Sequence, residues 1–316
     1  MKRIILLMML CLCVLTGCGK NKECQVDDVV KYIEELKSYS LTSTMTINKE
    51  NKTISMDISV DYLAPNYYKV VFGKDEEQII LKNDKGVYVL TPNLNKEFKF
   101  DGSWPTNSSH AYLLDSICKD LKTDANSKIT NSENTIMLEG KVNHKTNQKI
   151  TKMQYVCDKN YKPIKTTFLD DNNNDLVIVE FKTFIANSTL SKDHFNQESY
   201  LKKDVFNNEE SDVSLTIEAG YVVDGNTLES SKSSSELTIL CYNGEKPYTI
   251  VVNKAKVYSE VVSIEQYDDL VIMECGLGFI NENSFMYYLN GYEITIYSNT
   301  LTIDEFENIS SNISLL

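Results

Sequence analysis

Cys18 is the residue whose surroundings specify a covalent chemistry. It follows Leu15-Thr16-Gly17, and ahead of that lie Lys2, Arg3 and an apolar run from Ile4 to Val14. A short basic start, an h-region of about ten residues and a small residue before a cysteine form a bacterial lipoprotein signal with its lipobox. Cleavage before Cys18 frees an amino-terminal cysteine whose thiol carries diacylglycerol. The apolar run is too short to span a bilayer, which takes about 20 apolar residues. The expected product starts at Cys18, lies outside the cytoplasmic membrane and is held by lipid.

Other chemistry is sought in vain. The chain has no G-x-S-x-G, no H-E-x-x-H and no phosphate-binding glycine loop. Its three histidines, His110, His144 and His194, fall in a loop, a hairpin turn and a late loop. The tract Asp170–Asp175 (DDNNND) has the oxygen ligands of a calcium loop but fails its spacing. That loop needs glycine at position six and a carboxylate at twelve. Asp175 and Phe181 stand there in one register, Leu176 and Lys182 in the next. A polar hairpin turn is the expectation, with no metal site and no catalytic residue. Beyond Cys18 the cysteines are Cys24, Cys118, Cys157, Cys241 and Cys275. They are odd in number and too widely spaced for a zinc site. Cys118 with Cys157 and Cys241 with Cys275 can pair if the fold joins them; otherwise they are small buried apolar residues.

Charge narrows the partners. The chain has 32 basic and 45 acidic residues, a net of −13, which becomes −15 once Lys2 and Arg3 leave with the signal. Arg3 is the sole arginine, so no guanidinium fork for phosphate or carboxylate survives processing. Nucleic acid is a poor partner for such a surface.

The positioning elements follow from periodicity. Residues Gln25–Ser38 place Val26, Val29, Ile33 and Leu36 at helical spacing. Period two then takes over through Leu41–Ile47 and Ile54–Tyr62, a meander with one apolar face. Strands are expected at Tyr67–Phe72, Ile79–Lys82 and Val87–Leu90, a loop at 91–106, and a helix at Tyr112–Leu121. Further strands are expected at Thr135–Val142, Lys149–Cys157, Pro163–Leu169 and Leu176–Phe184. The acidic tract Asp204–Asp212 reads as a linker. Beyond it come strands at Val213–Ala219, Glu236–Tyr242, Tyr248–Asn253, Leu270–Cys275, Ser284–Leu289 and Tyr292–Tyr297. A helix at Ile303–Ile313 closes the chain. Aromatic residues crowd the first half. Tyr62, Tyr67, Phe72, Tyr88, Phe98 and Trp104 can line an apolar groove on a curved antiparallel sheet, or can simply fill its core.

The stretch VDDVVKYIEELKSYS, the strands through YLAPNYYKVVF and QIILKNDKGVYVLTPNLNKEFKF, and the helix entry SWPTNSSHAYLLDSICKDL resemble the LolA-like lipoprotein-carrier superfamily, in its Gram-positive spore-former branch. About residues 25–200 are covered. The tail YYLNGYEITIYSNTLTIDEFENISSNI is similar to the C-terminal module of YdcC-type sporulation lipoproteins. A tryptophan expected just before its glycine is missing, with Leu289 and Asn290 in its place. Together with the lipobox and the acidic tract, the resemblance implies an α+β chain in five parts. These are a signal peptide at 1–17, a lipidated tether at 18–24, a LolA-like curved antiparallel half-barrel with helices closing one side at 25–203, a linker at 204–212, and a small α+β module at 213–316. It also implies a non-enzymatic protein on the outer face of the cytoplasmic or forespore membrane, acting in sporulation or germination. As in GerS-like lipoproteins, the partner would be a cell-wall amidase of the CwlD type. The alternative is a groove that binds lipid or lipoprotein acyl chains, as in LolA. Diacylglycerol on Cys18 is the one attached group expected.

Overall fold

A computed structural model describes residues 24–49, 52–73, 78–100, 104–105, 109–142, 144–145, 147–201, 217–255, 269–273 and 276–315. The signal peptide, Cys18, the 204–212 linker and Cys275 lie outside the described residues.

The first half is an open, fully antiparallel sheet of eleven strands with two helices on one face. Helix α1 (Val26–Glu34) starts where the Asp28 carboxylate accepts the Gln25 backbone N–H at 2.9 Å, and it buries Val29, Val30 and Ile33. It stops short of the Ser38 expected from its periodicity. Strand β1 (Ser38–Lys49) claims Ser38, which pairs with Leu63 and whose hydroxyl donates to the Ser188 carbonyl at 2.6 Å. Cross-strand bonds at the end of a long ladder replace one more helical turn.

The sheet continues through β2 (Lys52–Leu63), β3 (Tyr67–Phe72), β4 (Gln78–Asn83), β5 (Gly86–Thr91) and β6 (Lys96–Phe100). Helix α2 (Leu114–Thr123) follows. Then come β7 (Lys128–Asn131), β8 (Thr135–Lys141), β9 (Lys152–Asp158), β10 (Pro163–Leu169) and β11 (Asp175–Ala186). Spatial order is β6-β5-β4-β3-β2-β1-β11-β10-β9-β8-β7, so the chain meanders away from β1 and returns to pair β11 with it. The sheet stays open: β6 and β7 are its two edges.

Two of these strands, β6 and β7, escape the periodicity reading. In β6, Lys96 and Glu97 look like loop residues, yet both are buried. The Lys96 ammonium donates to Tyr288 Oη at 2.8 Å and pairs with Glu293 at 3.1 Å, and Phe98 packs on Phe279 with ring centroids 4.8 Å apart. The partners that make this strand lie nearly two hundred residues away.

The second half is a seven-stranded antiparallel sheet. Its strands are β13 (Asn226–Ser233), β14 (Leu237–Gly244), β15 (Tyr248–Lys254), β16 (Asp269–Met273), β17 (Gly276–Ile280), β18 (Ser284–Leu289) and β19 (Tyr292–Tyr297). Their order is β13-β14-β15-β19-β18-β17-β16. The short β12 (Ile217–Ala219) pairs with the terminal β20 (Ile313–Leu315). Helix α3 (Ile303–Ser310) opens on a capping box. Glu305 N–H donates to Thr302 Oγ1 at 3.3 Å, and Thr302 N–H donates to the Glu305 carboxylate at 2.8 Å. It ends before the expected Ile313 because Ser310 Oγ and Asn312 Nδ2 donate to the Glu307 and Asn308 carbonyls. The freed tail then becomes β20.

The two sheets share a core. In β18, Met286 and Tyr288 join the cluster of the first half, while Phe285 and Tyr287 join α3 in the second. Both faces are buried, which is why SFMYYL shows no polar alternation. Gly278 in β17 lies over Phe285: a Cβ there would sit 2.5 Å from Phe285 Cζ and 2.9 Å from Cε2. Phe285 is fully buried and has no room to turn aside. Gly278→Ala is expected to destabilise the chain by about 2–3 kcal/mol through overpacking. Urea denaturation measures it, and an unchanged midpoint would show that β17 yields freely.

Candidate functional site

The six candidate groove aromatics do not share one surface. Strand parity divides them. Tyr62, Phe72, Phe98 and Trp104 lie in the cluster beneath α1 and α2, whereas Tyr67 and Tyr88 point to the opposite face and pack around Phe195. All six are at least nine-tenths buried. On the helical face the rings form a chain. Tyr39–Tyr62, Tyr62–Tyr68 and Tyr68–Trp104 have centroids 5.0, 4.9 and 5.6 Å apart, and the row continues through His110 to Tyr112 and Phe72. These rings fill that part of the face.

The row encloses a carboxylate. Asp115 of α2 accepts the Tyr39 hydroxyl at 3.2 Å. Burial raises the Asp115 carboxyl above its usual range, and the Tyr39 and Tyr68 hydroxyls that donate to it work the other way. Burial also lifts the phenols of Tyr39 and Tyr68, and Tyr62 reaches about 12. The phenols around the carboxylate are thus held further from ionisation than free tyrosines.

An open volume lies elsewhere. A cleft of about 1040 Å³ separates the end of the first sheet from the second half. Its floor includes Met45, Ile47, Ile54, Phe168 and Leu176, and its far wall includes Leu270, Ile272 and Leu277. Of the six candidate aromatics, only Trp104 lines it. Two ion pairs join the halves across its rim: Lys49 at the tip of β1 with Glu307 of α3 at 2.5 Å, and Lys149 with Asp304 at 3.5 Å. The first is the more shielded, its side chains 27% and 17% exposed. Burial raises the Glu307 carboxyl, with Lys49 opposing the rise.

Residue types of a nucleophilic triad do gather beside the cleft, in a grouping that sequence spacing concealed. Ser109, His110, Ser116 and Asp120 are brought together at the entry of α2, but without triad geometry. Ser116 Oγ accepts the His110 backbone N–H at 2.8 Å, Ser109 hydrogen-bonds the Asp120 carboxyl, and among the described residues His110 Nε2 meets no hydrogen-bond partner. Burial pulls the His110 imidazole down to about 3 and pushes Asp120 up to about 6. An imidazole held so far below neutrality is a weak base. His144, also in the cleft wall, is lowered by burial to about 4, and its Nδ1 accepts the Asn147 N–H at 3.1 Å. His194 sits on the opposite face, 2.7 Å from Asp61.

Asp170 folds the β10–β11 turn on itself, its carboxylate accepting the N–H groups of Asn172 and Asn174 at 2.8 Å each. Among the described residues, no three or more His, Cys, Asp or Glu side chains come together as metal ligands. Cys24, Cys118, Cys157 and Cys241 are free thiols. Burial pushes the Cys118 thiol well up and that of Cys157 to about 12, so both stay protonated and unreactive.

Comparison with known proteins places the chain. Sporulation protein YdcC of Bacillus subtilis (strain 168) is 26% identical over 317 residues, covering 96% of this chain and 94% of that protein. Among solved structures, MucB of Pseudomonas aeruginosa in its complex with MucA is 11% identical with a TM-score of 0.33, covering 91% of this chain and 98% of that one. A LolA superfamily protein from Nitrosomonas europaea is 9% identical with a TM-score of 0.32, covering 56% and 99%. The family described as sporulation protein YdcC-like matches residues 1–195, well over half of the sequence. The chain belongs to the YdcC-like family of sporulation proteins.

Proposed function

We propose that this chain is a non-catalytic protein of the cell or spore envelope, held by diacylglycerol on Cys18 to the outer face of the cytoplasmic or forespore membrane. It acts by binding a partner protein in the cleft between its two sheets. The observation that carries this reading is the cleft itself, with its apolar floor and a rim of cross-half ion pairs. An apolar floor gives affinity, and fixed charges at the rim give orientation and specificity. The sporulation setting of the Bacillus subtilis relative supports the biological context. The resemblance to germination lipoproteins supports a cell-wall amidase as the partner.

A second reading is favoured by the volume of the cleft, which is at the upper end of the range for small-molecule sites. An acyl chain of a lipid or lipoprotein would then occupy the floor.

The test is capture from sporulating cells with the full chain and with Leu176→Glu, analysing both protein and lipid by mass spectrometry. Leu176 is half-buried in the cleft floor, so the substitution spoils the apolar surface without emptying the core. Enrichment of an amidase by the wild type, lost in Leu176→Glu at an unchanged melting temperature, supports the protein-binding reading. Stoichiometric lipid with no protein partner replaces it with the carrier reading.

A further inference from the structure

The tether fixes which end of the molecule meets the bilayer, an inference that rests on the lipid anchor proposed above. Five residues lie between Cys18 and Cys24, six Cα-to-Cα steps that reach about 20 Å at full extension. Cys24 is not free to wander. Its carbonyl accepts Asn131 Nδ2 at 3.4 Å, and its Sγ lies 3.7 Å from the Tyr161 hydroxyl. Tyr161 in turn packs on Tyr32 of α1, with centroids 5.4 Å apart. The tether therefore leaves the body beside the β9–β10 turn.

That turn is stiff. The Asp158 carboxylate accepts the N–H groups of Asn160 and Lys162 at 2.7 and 2.9 Å. It presents Lys159 and Lys162, and next to them Ile164, one of the few large apolar side chains exposed.

The cleft lies at the other end of the same strands. Strand β10 runs from Pro163 beside the tether to Leu169, and the next residue, Asp170, lines the cleft. Leu169 is level with Asp175, whose carbonyl accepts Asn48 Nδ2 at the tip of β1. Seven residues of strand span about 20 Å, and the twelve of β1 about 40 Å. The body is thus longer than the tether that holds it.

We propose that the β9–β10 turn and the start of α1 form the bilayer-facing end, and that the cleft opens about 20 Å further out. The cleft then receives its ligand from the aqueous side and not from the bilayer.

Lysine footprinting tests this on the acylated full chain in vesicles of phosphatidylethanolamine and phosphatidylglycerol, compared with the same protein in detergent. Intact mass first establishes the state of Cys18. The expected result is loss of labelling at Lys159 and Lys162 in vesicles, with Lys52 and Lys149 at the cleft labelled as in detergent. Acylated protein with protection at Lys52 and Lys149, or with no difference between the ends, overturns the orientation and leaves the anchor standing. A processed chain with an unmodified Cys18 overturns the anchor and the orientation with it.

Discussion

Cys18→Ala is expected to remove the protein from the membrane fraction or to leave its precursor uncut. Alanine offers no sulfur for diacylglycerol, and the proposed anchor draws its strength from two acyl chains at ~0.8 kcal/mol per buried methylene. Among the described residues, no helix is long and apolar enough to cross a membrane. Charge works against retention as well: with a net of −13, or −15 on removal of residues 1–17, the chain is expected to be repelled by anionic headgroups. Fractionation of expressing cells followed by gel analysis separates the outcomes. Soluble protein, or membrane-associated protein of precursor size, agrees with the anchor. Mature-sized Cys18→Ala protein that only detergent extracts would sink it.

Strands were legible where one face meets water. Ile54, Ile58 and Val60 alternate with Ser55, Asp57 and Ser59, and β2 forms there with the same parity. β13 was illegible for the opposite reason. Its run TLESSKS is exposed throughout and forms a strand only because β14 pairs with it at the sheet edge. β17 carries Gly276 and Gly278, poor strand formers by composition, and Gly278 is needed there because Phe285 fills the space its Cβ would take. The division of the aromatics was partly readable. Tyr67 and Tyr68 are adjacent and must face opposite ways in any strand. What sequence could not supply was the register between strands, which sets Tyr62 opposite Tyr68 and leaves Tyr67 with Tyr88 on the other face. The cleft was beyond reach altogether, because Lys49 meets Glu307 across more than 250 residues.

The two histidines of the cleft wall should dominate the acid sensitivity of the fold. Folding holds His110 near 3 and His144 near 4, whereas in the unfolded chain both return to about 6.5. The unfolded state therefore binds protons that the folded state refuses. Stability from these groups is fully present above pH 6.5 and is lost as pH falls toward 4 and then 3. Each histidine removes about 1.4 kcal/mol per pH unit in that window, or roughly 4 kcal/mol for the pair between pH 6.5 and 5. Asp120, raised to about 6, acts in the opposite sense: the folded state takes up its proton first, and stability recovers somewhat as pH falls below 6. Comparing variants cancels that contribution. Urea unfolding at pH 7 and pH 5 should show the wild type losing about 4 kcal/mol more than His110→Gln/His144→Gln, with His144→Gln alone accounting for about half. Equal losses in wild type and variants would mean that water reaches these imidazoles and that the cleft wall is not packed as described. A loss confined to the wild type would place the acid-labile element at the cleft, where Asn147 N–H on His144 Nδ1 is the bond that protonation breaks.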